Sequence, residues 1–98
     1  MSNDAAEKLP GFLKENPDGS VSATLSRPVE ISGAMVSVIT LREPDVSDQL
    51  AAQKSAKDNA GQELALLANL AELDPEDLHR VKLRDYGRLQ VALGFFMN

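Results

Sequence analysis

The stretch Leu73-Asp74-Pro75-Glu76-Asp77-Leu78 constrains this chain more than any other. Proline has no N–H and fits the first turn of a helix, where that donor would lack a partner in any case. Asp74 ahead of it is a favourable N-cap, and Glu76 and Asp77 place negative charge at the positive end of the helix dipole. One helix therefore ends near Leu73 and another begins at Pro75. Each flank carries a helical segment with much apolar surface. From Leu64 to Leu73 only Asn69 and Glu72 are polar, and Tyr86 to Met97 is nearly as apolar.

At ~100° per residue, Gln62, Asn69 and Glu72 share one narrow stripe of the first segment. Leu64, Leu66, Leu67, Leu70 and Leu73 cover most of the remaining circumference. A helix apolar over so much of its girth is buried on several sides. In the last segment Tyr86, Leu89, Leu93 and Phe96 form one stripe, with Val91 and Phe95 on roughly the opposite side. One stripe faces the domain's own core. The other calls for a partner, unless the β-strands upstream cover it. Leu66, Leu70, Val91 and Phe95 are therefore the candidate partner-binding residues. The alternative is that they are ordinary core, where truncation costs about 2–5 kcal/mol each.

The rest of the chain divides by period. Residues 1–19 are polar and punctuated by Pro10, Gly11, Pro17 and Gly19, which predicts a flexible N-terminal arm with a small apolar spot at Leu9, Phe12 and Leu13. Val21, Ala23 and Leu25 alternate with Ser22, Thr24 and Ser26, the mark of a half-buried strand. Pro28 cannot donate to a ladder and belongs at a strand start or edge. Strands at about 29–31 and 35–41 then read as a β-hairpin turning at Ser32-Gly33. The alternation of the second slips between Val38 and Ile39, which permits a bulge there.

After Pro44 the period becomes helical. Asp45 is an N-cap with Asp48 as its capping-box partner, and Asn59 with Gln62 forms another cap pair. In the first of these helices Val46 and Leu50 stack at i, i+4 while Gln49, Gln53, Lys54 and Lys57 face water. Helices are expected at about 45–57, 60–73, 75–80 and 83–97, so residues 20–98 form one α+β domain: a small antiparallel sheet followed by three to four short helices.

Composition narrows the chemistry. A net charge of −5 with ten scattered basic residues argues against nucleic acid. Cysteine is missing, which removes thiol nucleophiles, thiolate metal sites and disulfides and suits a reducing compartment. No apolar run nears the ~18 residues of a membrane span, and the first seven residues lack the basic and apolar regions of a signal peptide. His79 is the only histidine and is expected to face solvent; the acids near it serve as caps. No nucleophile elbow or phosphate loop is present, and paired carboxylates such as Asp45 with Asp48 fit caps better than acid–base work. The expectation is a non-enzyme with no cofactor and no metal.

In order and spacing the chain resembles the small tail assembly chaperones of long-tailed, chiefly contractile-tailed bacteriophages and their prophages. The matching residues are Pro28, Ile31, Gly33, Val36, Thr40-Leu41-Arg42 and Pro44, then Leu50-Ala51-Ala52 and Glu63 to Ala68. They continue through Leu73, Pro75-Glu76-Asp77-Leu78, Leu83-Arg84-Asp85-Tyr86 and Arg88-Leu89, covering roughly residues 25–93. Gly87 and Gly94 depart from that pattern. The resemblance implies binding of the tape measure protein, a long helical chain that sets tail length, which is kept soluble until tube subunits polymerise around it. It further implies a homo-oligomer in the host bacterial cytoplasm that is not retained in the mature virion. The alternatives are another small phage tail structural or adaptor protein, or a regulatory protein-interaction domain whose arm folds on binding.

Overall fold

The computed structural model describes residues 9–97. Its architecture is α+β, a three-stranded antiparallel sheet followed by four helices. The strands are β1 (Leu13–Glu15), β2 (Val21–Ile31) and β3 (Ala34–Leu41), in the order β1-β2-β3. The helices are α1 (Val46–Ser55), α2 (Asn59–Ala71), α3 (Pro75–Leu78) and α4 (Leu83–Phe96).

β1 lies inside the stretch expected to be a flexible arm, whose first eight residues fall outside the described ones. Its signal was the turn Asn16-Pro17-Asp18-Gly19, in which proline presets φ and glycine supplies the left-handed residue. Gly19 has φ 90°, its N–H donates to Asn16 O at 2.9 Å, and Asp18 Oδ1 accepts both the N–H and the hydroxyl of Ser20. The turn brings Leu13 opposite Ala23 and buries it, with Leu9 and Phe12 packed beside it.

Alternation decides the faces of the sheet. Val21, Ala23 and Leu25 are buried as their period predicts, and Ile39 and Leu41 join them from β3. On the other face Ser22 Oγ lies 2.8 Å from Thr40 Oγ1. The irregularity expected at Val38–Ile39 sits instead on β2. Thr24 pairs with Val38 and Val29 with Val36, so residues 25–28 of β2 oppose only Ser37 of β3. Pro28 lies in this bulge, the one place within a continuous strand where its missing N–H breaks no ladder bond.

The bulge leaves two N–H groups without a strand partner, and α4 supplies one. The N–H groups of Ser26 and Arg27 donate to Asp85 Oδ1 and Oδ2 at 2.7 and 3.1 Å, and Asp85 is fully buried. Burial alone would raise its carboxyl pKa. The donors from Ser26 and Arg27, with the Arg88 guanidinium behind them, more than offset this and hold it below the ordinary value.

Caps set most helix limits. Asp45 with Asp48 and Asp74 with Asp77 both close capping boxes, and Pro75 occupies the first turn of α3. At α2 the cap is Asp58, which accepts the Gly61 N–H at 2.7 Å, rather than Asn59. Glu72 ends α2 in the left-handed conformation, one turn before the break at Pro75. Asp48 does further work: it accepts two bonds from Arg42 (3.0 and 3.1 Å), one from the Asp45 N–H (2.9 Å) and one from Asn69 Nδ2 (3.1 Å). The end of β3, the start of α1 and the last turn of α2 are thus tied through one carboxylate.

The core fills the space between the inner face of the sheet, α2 and α4, centred on Val21, Leu41, Leu67, Leu70 and Leu89. Here the girth of α2 finds its cover. Leu66, Leu67, Ala68 and Leu70 are all buried, because α1, β3 and the short α3 pack against α2, and Leu89 and Ala92 of α4 join the same core.

Candidate functional site

α1 packs the reverse way from its apolar pair. Its buried residues are Asp48 and Ala52, so Val46 and Leu50 point outward with 75% and 53% of their surface exposed. The Asp48 network explains this orientation: four hydrogen bonds to one carboxylate outweigh burial of one valine and one leucine at about 1.5–3 kcal/mol each. Alanine at 52 then allows α1 to sit close on α2.

The consequence is a groove between the start of α1 and the end of α4. Val46 and Gln49 form one wall, Leu93, Phe96 and Met97 the other, and Leu66 the floor, enclosing ≈ 350 Å³. Met97 is 68% exposed. The one ionisable group in the lining is Asp45, whose carboxylate already accepts the Asp48 N–H and the Ser47 hydroxyl. What the groove offers a ligand is apolar surface with an adaptable methionine at its rim.

α4 is fixed against α2 by a polar pin. Glu63 Oε1 accepts from the Tyr86 hydroxyl at 3.1 Å and from Gln90 Nε2 at 2.8 Å. Burial first, then the Glu63 carboxylate, pushes the Tyr86 pKa up to about 12. The wall made by α4 is therefore held in place by α2 and, through Asp85, by β2.

The four residues assigned from the sequence do not converge. Leu66 is buried at the groove floor, and Leu70 is buried beneath the end of β3, where its carbonyl accepts the Arg42 N–H at 2.9 Å. Leu70 keeps almost no exposed surface, and Leu66 keeps only the small part that lines the groove. Val91 is 46% exposed, and Phe95 is half-buried with its ring edge-on to Phe96 at 6.1 Å. Both sit on the flank of α4 turned away from the groove lining. The sequence reading does not single out Val46, Leu50 or Met97; the signal for the packed side of α1 is Asp48 with the small Ala52 one turn on. His79 is exposed and lies 3.7 Å from Glu76.

Among the described residues no helix is long and apolar enough to cross a membrane. No curated protein and no solved structure matches the chain. The model of the family described as phage tail assembly chaperone proteins, E, or 41 or 14, matches residues 22–98, which include nearly all of β2, β3 and the four helices. Four-fifths of the sequence is thus accounted for by one family, and the chain belongs to the phage tail assembly chaperones.

Proposed function

We propose that this chaperone is non-enzymatic and binds the tape measure protein, keeping that long helical client soluble in the host cytoplasm until the tail tube forms around it. The carrying observation is the apolar groove between α1 and α4, whose exposed Val46 and Met97 contribute nothing to the core. An amphipathic helix laid into such a groove presents apolar side chains one turn apart, and a client that is helical throughout offers many equivalent segments. The groove reads spacing and hydrophobicity rather than one sequence, as a chaperone of a long repeating client requires.

The flank of α4 bearing Val91 and Phe95 supports a second contact, between copies of the chain. Several copies along one client would then shelter a continuous length of it, and release on tube polymerisation would leave none in the finished tail.

The test is co-expression with a tape measure protein from the same phage or prophage. Val46→Glu with Met97→Glu leaves the core untouched and is expected to abolish co-purification and send the client to the pellet. Val91→Glu is expected to lower the oligomeric mass in sedimentation while the groove still binds. Client recovery unchanged by the groove variant would sink the proposal.

A further inference from the structure

β3 is the outer strand of the sheet, and its eight residues include no charge and no proline. Natural edge strands are usually blunted by such residues, because an open edge is a template for another strand. Val38 is 48% exposed and Val36 half-buried along this edge. Facing them across a groove of ≈ 640 Å³ is the C-terminal end of α2, with Leu73 at its rim. The Arg42–Leu70 backbone bond closes the groove at one end.

The groove is negative. Asp18, Glu43 and Glu72 line it, and the carbonyl end of α2 adds to their field. Arg42 also lines it, but its guanidinium is held by both oxygens of Asp48 and its charge is thereby spent.

We propose that the β3 edge is a second docking site, separate from the α1/α4 groove, that takes an extended cationic segment of another protein by strand addition. Main-chain bonds to β3 would supply affinity. Alternate β-branched side chains would rest on Val36, Val38 and Leu73, and the intervening lysines or arginines would meet the three carboxylates. At ~3.3 Å per residue, about five residues span Val36 to Thr40.

Charge decides against the other occupants. The chain's own first eight residues carry Asp4 and Glu7 against a single lysine, so they bring no net positive charge to the groove. A second copy of β3 brings no cation to the carboxylates.

The probe is a capped peptide of alternating lysine and valine, titrated into the full chain at low salt and followed by amide chemical shifts. Shifts and slowed amide exchange are expected along β3 and at the end of α2. Two controls separate strand addition from general attraction. A lysine–proline peptide of equal charge, unable to donate along the strand, is expected not to bind. Glu43→Lys with Glu72→Lys, both exposed positions, is expected to weaken the lysine–valine peptide by about tenfold or more and to admit a glutamate–valine peptide. Equal binding of the proline peptide, indifference to charge reversal, shifts confined to other surfaces, or concentration-dependent pairing of β3 between copies would each overturn the assignment.

Discussion

Asp85→Asn tests the clamp between β2 and α4 with almost no change of shape. The carboxylate is fully buried and each oxygen accepts one N–H, from Ser26 at 2.7 Å and from Arg27 at 3.1 Å. Hydrogen bonds to a charged group contribute about 1.5–3 kcal/mol, and a buried donor left without an acceptor costs about 1–3 kcal/mol. Asparagine keeps one carbonyl oxygen, so one bond survives in a weaker neutral form. Its NH₂ must then face the second backbone N–H, donor against donor. The expected loss is about 3 kcal/mol, a large share of the ~5–15 kcal/mol that holds a domain of this size together. Urea unfolding followed by circular dichroism reads it: with an m-value of about 1–3 kcal/mol per molar, the midpoint falls by about 1–3 M. Acid supplies an independent check. The folded-state pKa of Asp85 is depressed, so its stabilisation is complete above the ordinary value of 3.8 and is lost as pH falls through the lower folded value. The gap between wild type and variant must therefore narrow below pH 3.8. A loss under about 0.5 kcal/mol at neutral pH, or a gap that persists unchanged into strong acid, refutes the clamp.

Two other substitutions have worked signs. Gly87→Ala adds a methyl group that meets nothing within 4 Å in the middle of α4, and Gly94→Ala does the same near its end. Thermal unfolding is expected to show a gain of about 0.5–1 kcal/mol for Gly87→Ala, and less for Gly94→Ala, which lies in the last turn of the helix. Arg42→Met removes the first cause of the depressed Asp48 pKa, which stands at about 2. Carboxyl titration by NMR is expected to show Asp48 moving up toward 3.8, and the variant to lose less stability than wild type between those two pH values.

The parts of the fold legible in the sequence are those fixed by neighbours along the chain. The capping box at Asp45, the N-cap at Asp74, the proline opening α3 and the alternation of Val21, Ala23 and Leu25 each rest on residues within one turn or one strand. The features that escaped depend on distant partners. The β2 bulge is completed by a carboxylate 59 residues away from Ser26, and no local pattern announces it. β1 is a short strand made stable by its turn and by Leu13 reaching the core, so the polar residues around it disguised it. The surroundings of the candidate residues depend on distant partners in the same way. The apolar girth of α2 shows how much needs covering but not how much cover its neighbours supply, and both Leu66 and Leu70 are buried in the core. On α1, hydrophobicity was outweighed by the hydrogen-bonding needs of Asp48, which turned Val46 and Leu50 outward.

The Asp85 clamp also makes the sheet a reporter on the last helix. The amides of Ser26 and Arg27 are sheltered from deuterium only while α4 is seated, since their acceptor travels with it. A cargo that levers α4 away from the body would quicken solvent exchange at two positions in the second strand, far along the chain from the place of contact. Those two amides form a built-in gauge of whether capture is passive or prises the chaperone open.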